Sequence, residues 1–410
     1  MKILMLTPYL PYPPSSGGQV RSYNLLKHLG KKHEISLVSL IKTDEEKQFV
    51  DHLKDYCKKI YVCKRSESPW TFKNITQSIF GYYPFLIVRN LSSEAKKIIS
   101  HLIETNKYDL IHAETFYIMP HIPETHIPIL LVEQTIEYRV YQHFIKSIRF
   151  PLLKILFYLD IVKLKIWEKK YWKKADLVVA VSETDKNKMH ELLPDLTIKI
   201  IPNGAGEDLI GLFQKEKKVD KPIFLYQGNF SWLQNVEAAE ILARSIFPRI
   251  KRKIPQSICV ITGQKAQEKI SYLKKHEIKI IDIMSSQTEQ VKKGYQEASV
   301  FLAPIKGPGG TRLKILGAMA AGLPVISSQV GIEGLDVTDN ENILIAKNED
   351  EFVQKTVNLL NNQALYNKIR INARKLIDEK YNWQKISKDL EKIYLGLKKI
   401  KRKRVEKMSI

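Results

Sequence analysis

The sequence predicts an α/β protein built from two doubly wound, parallel-sheet domains. Three observations carry this expectation. The 410 residues exceed what one hydrophobic core usually organises, so two domains of about 200 residues each are expected. Short apolar runs alternate with longer amphipathic ones, the pattern of β-α-β units. The alternation also starts afresh after Lys215-Glu216-Lys217-Lys218-Val219-Asp220-Lys221, a charged stretch that reads as the edge of a linker.

Taken in order, the strands expected in the first half are Ile3–Leu6, Ile35–Leu40, Ile60–Val62, Leu110–His112, Ile129–Val132, Leu177–Val181 and Lys199–Ile201. The second half offers Ile223–Tyr226, Ile258–Ile261, Ile278–Ile283, Val300–Ala303, Val325–Ser327 and Ile343–Ile345. These runs are rich in Ile, Leu and Val with little alternation, as suits strands covered by helices on both faces. From Asp350 to Leu397 no strand signal remains, and the segment reads as helices leading into a basic tail. Ligands of open parallel sheets sit beyond the carboxyl ends of the strands, so two such domains facing each other would enclose one central cleft.

Composition narrows the classes of function. The opening Met1-Lys2-Ile3-Leu4-Met5-Leu6-Thr7-Pro8 is too short an apolar run for a secretion signal and reads as the first strand. The longest apolar region, Phe150 to Trp167, is interrupted by Lys154, Asp160, Lys163 and Lys165. A spanning helix needs about 20 mostly apolar residues, so none is expected. Cys57, Cys63 and Cys259 form neither a disulfide framework nor a zinc pattern, which suits a reducing cytoplasm. A formal charge of +22 asks for an anionic partner, whether nucleic acid, membrane or acidic ligand, unless a general lysine bias accounts for part of it. The lysines thicken at Lys163–Lys174 and Lys398–Arg404. Between Phe150 and Lys174, Leu153, Leu156, Phe157, Leu164 and Trp167 mingle with Lys154, Lys163, Lys165, Lys169, Lys170, Lys173 and Lys174. Such a helix suits an anionic membrane surface; the plainer alternative is a solvated helix packed on its own domain.

Three segments carry the chemistry. After the first strand, Gly17 and Gly18 open a helix with Leu25, Leu26 and Leu29 on one side; adjacent glycines there let backbone approach a ligand, and a helix N-terminus favours an anion. A tight turn without a ligand is the competing reading. Asn203-Gly204, closing the last strand of the first half, predicts a turn with positive φ. The fullest signal is Pro304-Ile305-Lys306-Gly307-Pro308-Gly309-Gly310-Thr311-Arg312-Leu313-Lys314, followed by a helix to Gly322 and a strand entered at Pro324. Thr311 is expected to cap this helix and Gly322 to close it. Free loop amides, a helix N-terminus and the cations of Arg312 and Lys314 together describe a phosphate cradle. It is not a Walker loop, since no Gly-Lys-Ser/Thr follows.

With these segments in place, the chain resembles the GT4-like group of GT-B glycosyltransferases along nearly its whole length. The resemblance rests on Gly17-Gly18 with Arg21, the Asp176-to-Ser182 strand leading to Glu183, and Pro202-Asn203-Gly204. It continues through Tyr226-Gln227-Gly228-Asn229 with Trp232 and Asn235, and from Gly309-Gly310-Thr311-Arg312-Leu313-Lys314 to Gly331-Ile332-Glu333-Gly334-Leu335. No nucleic-acid motif competes with it. The resemblance implies two Rossmann-like domains: an acceptor domain over residues 1–205, to which 381–410 cross back, and a nucleotide-sugar domain over 206–380. It further implies donor contacts at Gly17, Gly18, Asn203, Gly204, Gly228, Asn229, Gly309, Gly310, Thr311, Arg312 and Lys314, and acceptor-side contacts at Arg21, Glu137 and Tyr138. The implied reaction moves a sugar from a UDP- or GDP-sugar to a hydroxyl of a lipid-linked or saccharide acceptor, with retention and without metal or other cofactor. Cell-surface polysaccharide or glycolipid synthesis in the cytoplasm, peripheral to the inner face of the membrane, is the implied setting.

Two departures from the family pattern bear on activity. Gln134 in Leu131-Val132-Glu133-Gln134-Thr135 stands where relatives place a histidine close to the reacting sugar, and an amide hydrogen-bonds but carries no proton. Gly317 stands where relatives place a glutamate for the ribose, while the other acidic position of that pair is Gly309. The basic pair usual after the Gly228 turn is also missing, which leaves the diphosphate to Arg312 and Lys314. Two readings therefore stand side by side: a working glycosyltransferase, and a catalytically degenerate relative that binds a nucleotide-sugar or acts as a scaffold. An epimerase on the same fold has no motif of its own here.

Overall fold

All thirteen expected strands form, and every pairing between them is parallel. The structure, a computed structural model, describes residues 1–146, 148, 150–214, 217, 219–284 and 287–408, the side chains of 152 and 400–408 excepted. Lys215, Glu216 and Lys218 of the expected linker edge, and the side chains of the basic tail from residue 400 onward, thus lie outside the described residues. The chain divides into two compact units, residues 1–202 with 384–410, and residues 203–383.

In the first unit the strands are β1 (Lys2–Thr7), β2 (Glu34–Ile41), β3 (Lys59–Lys64), β4 (Leu110–Glu114), β5 (Ile129–Glu133), β6 (Leu177–Ala180) and β7 (Ile198–Ile200), in the order β3-β2-β1-β4-β5-β6-β7. The second holds β8 (Ile223–Gln227), β9 (Ile258–Gly263), β10 (Ile278–Asp282), β11 (Val300–Ala303), β12 (Val325–Ser328) and β13 (Leu344–Ala346), in the order β10-β9-β8-β11-β12-β13. The central strands are buried throughout, which explains why their sequences do not alternate. In each sheet the winding reverses beside the first strand, so β1 and β4, and likewise β8 and β11, end at a crevice where side chains and loops splay apart. That reversal decides where each candidate site lies.

The strandless stretch forms helices Glu349–Asn361, Gln363–Lys380 and Trp383–Met408. Most of the last of these belongs to the first unit, where Leu390, Tyr394 and Leu397 are buried. Lys32 and Lys398 pair there with Glu391 and Asp109 at 2.7 and 2.9 Å. Helix Pro151–Lys174 is the element that departs most from expectation. Its second half is core: Leu164, Trp167, Tyr171 and Trp172 pack under the sheet, so Leu164 and Trp167 cannot serve as a membrane-facing stripe. Lys163 donates to the carbonyls of Ser78, Ile79 and Gly81 at the end of helix Phe72–Phe80, and Lys174 to that of Ile122. The exposed apolar surface is instead the first half, with Leu153, Ile155, Leu156, Tyr158 and Leu159, together with Trp70, Phe72 (83% exposed) and Phe80 (87%) on the neighbouring segment.

Candidate active site

Each unit carries a constellation of polar side chains at its sheet's switch point. In the first, Tyr9 follows β1, Glu114 ends β4 and Gln134 follows β5. His112 and Glu114 are two residues apart on one strand and so share a face; His112 Nε2 lies 2.9 Å from Glu114 Oε1. On its other side His112 Nδ1 meets the Tyr394 hydroxyl of the returning helix. Arg21, fully buried in helix Gly17–Leu29, sets its Nε 3.5 Å from the same carboxylate and donates through Nη1 to the carbonyls of Ile201 and Pro202 at 3.1 Å each. Gln134 Nε2 completes the shell, donating to Glu114 Oε2 at 2.7 Å and to the Tyr9 hydroxyl at 3.1 Å. Burial alone would raise the Glu114 pKa; the His112 hydrogen bond and the Arg21 charge outweigh it and hold the carboxyl below its ordinary value.

Arg21 therefore orients Glu114 from beneath, while Gln134, only half-buried, presents the network outward. Gly17 and Gly18 do less than the motif suggested. Ser16 and Gln19 cap that helix internally, and a Cβ at Gly18 would come within 2.3 Å of the Tyr9 hydroxyl. The glycine makes room for Tyr9, the residue that steadies Gln134. Glu137 and Tyr138 open helix Glu137–Lys146, their amides donating to the buried carboxyl of Glu168 at 2.8 and 3.2 Å, although burial and the nearby Glu137 still raise the Glu168 pKa well above its ordinary value. Burial, opposed by the neighbouring Arg89, pushes the Glu137 carboxyl up to about 7. The Tyr138 ring is covered by the Lys165 ammonium at 5.3 Å.

In the second unit β8 runs into Gly228 and Asn229, and β11 into the glycine loop. Asn229 accepts from the Ser231 amide at 3.0 Å and donates to Gln264 at 2.7 Å, while its carbonyl receives Asn235 Nδ2 at 2.7 Å. Lys314 Nζ reaches this turn, donating to Asn235 Oδ1 at 2.6 Å and to the Tyr226 hydroxyl at 3.2 Å; a Cβ at Gly228 would stand 3.0 Å from it. Burial and the charge of Arg312 bring the Lys314 ammonium down to about 7. Arg312, itself buried, donates to the carbonyls of Gly310 and Gly307 at 3.1 and 2.7 Å, and a Cβ at Gly309 would strike its Nη1. The loop is thus wound around its own guanidinium, with Lys314 as the more adaptable cation.

Several local expectations change. Helix Leu313–Ala320 begins two residues after Thr311 and has no side-chain cap; the Thr311 hydroxyl, buried, finds no partner among the described residues. A group supplied from outside would satisfy it. Gly322 does close the helix, at φ +77°, through bonds from its own amide to Met319 and from Leu323 to Ala318. Neither Asn203 nor Gly204 adopts positive φ; Gly204 is required because the Trp383 ring would lie 2.7 Å from any Cβ, and Asn203 is buried. At Gly317 a Cβ would meet Leu209 Cδ1 at 3.0 Å and the Tyr295 hydroxyl at 3.3 Å, so these two side chains fill the direction a glutamate would take. Tyr9, Glu114 and His112 escaped the sequence reading. Only the adjacency of β1, β4 and β5 makes them neighbours of Gln134.

Two doubly wound parallel sheets with polar and glycine-rich loops at their switch points define the GT-B architecture of nucleotide-sugar enzymes. Residues 15–208 match the Glycosyltransferase Family 4 family and residues 221–362 match Glycosyl transferases group 1. The chain belongs to the GT4-like family of GT-B glycosyltransferases. It is 22% identical over 398 residues to an uncharacterised 44.6 kDa protein in the cps region of Klebsiella pneumoniae, covering 94% of this chain and 97% of that one. Among solved structures it resembles sucrose-phosphate synthase from Thermosynechococcus elongatus, with a TM-score of 0.68, 15% identity, and 97% and 99% of the two chains covered. It also resembles Anabaena HepE in complex with UDP and glucose, with a TM-score of 0.63, 14% identity, and 97% and 100% covered.

Proposed function

We propose that this glycosyltransferase moves a sugar from a UDP- or GDP-sugar to a hydroxyl of a lipid-linked or saccharide acceptor, with retention, in the synthesis of a cell-surface polysaccharide or glycolipid. The observation that carries this reading is the glycine loop after β11, which brings an unpartnered Thr311 hydroxyl and then Lys314, bonded to the turn after β8, to the switch point of the second sheet. The second unit would hold the nucleotide-sugar and the first the acceptor. The UDP and glucose in the HepE structure support the choice of donor class, and the cps location of the Klebsiella relative supports the pathway.

In this reading the sugar–phosphate bond breaks with charge building on the departing diphosphate, which loop amides and Lys314 stabilise. Arrival of that dianion raises the affinity of Lys314 for its proton, so the ammonium is fully charged when it is needed. The acceptor proton passes to the departing phosphate on the same face, and no metal takes part. Gln134, fixed by Glu114 and Tyr9, orients hydroxyls and carries no proton.

The exposed apolar surface of residues 70–82 and 153–162 supports a peripheral setting at the cytoplasmic face of an anionic membrane, since exposed apolar patches of this kind mark interaction sites. Among the described residues no helix is long and apolar enough to cross a membrane. The test of the reaction incubates wild type and Gln134→His with a panel of UDP- and GDP-sugars and acceptors and measures nucleotide release. Release from one donor class by wild type, raised in Gln134→His because imidazole also carries charge, is expected. Donor binding without release in either protein would refute the transfer reading.

A further inference from the structure

Beside the Gln134 network lies a second group of side chains to which neither sequence motif nor family likeness assigns a role. Arg65 leaves the carboxyl end of β3, and Arg89 ends the short helix Phe85–Val88. The two guanidinium groups are close enough that burial and the charge of Arg89 together hold Arg65 below its ordinary pKa. Both Nε atoms are buried without a hydrogen-bond partner, and neither guanidinium forms an ion pair with another described residue. Two half-buried cations that repel each other, with no carboxylate at ion-pair distance among the described residues and only the more distant Glu46 and Glu137 to offset them, are costly, and an anion from outside the chain would neutralise them.

Their surroundings say what that something is. Tyr117, just beyond β4, interacts electrostatically with Arg65, Arg89 and Glu137, and also with Tyr9, the partner of Gln134. The arginine pair is therefore two tyrosines, Tyr117 and Tyr9, removed from Gln134, along the carboxyl edge of the first unit's sheet. On its other side the short helix of Arg89 leads to the exposed apolar surface: Phe85 stacks on Trp70 at 4.5 Å, and Trp70 is 56% exposed. A guanidinium pair offers forked donors that match phosphoryl oxygens.

We infer that Arg65 and Arg89 bind a phosphate or diphosphate group carried by the acceptor. The hydroxyl to be glycosylated then lies toward Gln134, and any lipid tail runs out past Trp70. This rests on the transferase reading above, deepening it to a phosphorylated acceptor.

The test uses calorimetric titration and thermal melting of the full chain with inorganic pyrophosphate, farnesyl diphosphate and, as an uncharged control, octyl glucoside. Three proteins are compared: wild type, the Arg65→Gln/Arg89→Gln double variant, and Lys314→Met, which separates binding at the donor loop from binding here. Wild type is expected to bind pyrophosphate at both the donor loop and the arginine pair, Lys314→Met to weaken the first and keep the second, and the double variant to keep the first and weaken the second at least tenfold. Farnesyl diphosphate binding tighter than pyrophosphate identifies a lipid-linked acceptor; equal affinities identify a water-soluble one. Because neither guanidinium is hydrogen-bonded or ion-paired to another described residue, the double variant should melt at or above the wild-type temperature. Equal pyrophosphate affinity in wild type and double variant, no binding to wild type, or a lower melting temperature in the double variant would each overturn the assignment. Nucleotide release from the sugar donor by wild type without acceptor is measured separately. Release without pyrophosphate binding rejects the phosphate site alone, whereas donor binding without release rejects the transferase reading beneath it.

Discussion

Replacing Gln134 by glutamate inverts the polarity of the first unit's site at a single atom. In the native arrangement Gln134 Nε2 donates to Glu114 Oε2 across 2.7 Å; in Gln134→Glu a second carboxylate oxygen faces the first. The lost bond, made to an ionised group, is worth about 1.5–3 kcal/mol, and two carboxylates at this separation cannot both ionise without further cost. Gln134 is half-buried, so solvent trims the repulsion, and a total near 3 kcal/mol at pH 8 is expected. At about 2–4 °C per kcal/mol for a domain of this size, the first unit should unfold roughly 6–12 °C earlier. The added carboxyl has a folded pKa raised above its unfolded value of about 4.3. Its contribution is thus intact below that value and is lost as pH rises through the raised one, so the deficit shrinks on going from pH 8 to pH 5. Gln134→Leu, which removes the donor without adding charge, should lose less and show no such slope. Calorimetric scans of the three proteins at both pH values decide it. Equal unfolding temperatures for wild type and Gln134→Glu would refute the Gln134–Glu114 hydrogen bond and the orienting role built on it.

Three further outcomes are expected. Gly317→Glu should destabilise the second unit by about 3 kcal/mol or more, since the new Cβ meets Leu209 and Tyr295 and its carboxyl has no buried partner; an unchanged melting temperature with tighter nucleotide binding would reverse this. Because the Lys314 ammonium sits at about 7 in the free protein and a bound diphosphate favours its charged form, nucleotide binding takes up a proton. Affinity should then fall as pH rises from 7 to 9 and be flat over that range in Lys314→Met. Phe72→Ser/Phe80→Ser should reduce co-sedimentation with anionic vesicles at least tenfold while leaving the fold intact, because both rings are exposed; undiminished sedimentation would reject this surface as the membrane contact.

Most of the architecture was legible in the sequence, because a strand covered on both faces must be continuously apolar, and such runs stand out between amphipathic helices. The runs at 3–6, 35–40 and 300–303 name their strands directly, as Gly322 names the end of its helix, where only φ near +77° completes the turn. The glycine loop before Lys314 was legible too. What the chain alone did not disclose depends on distance in sequence. Leu164 and Trp167 look like a surface stripe until the sheet covers them, and Gly18 looks like a ligand turn until Tyr9 fills the space above it. Glu114, Gln134 and Tyr9 are 20 and 125 residues apart along the bonds that join them, and Arg65 with Arg89 marks nothing in the sequence. Local sequence determines period, capping and turn chemistry through interactions within a few residues, whereas a site at a switch point is assembled by the strand order, which only the packed sheet decides.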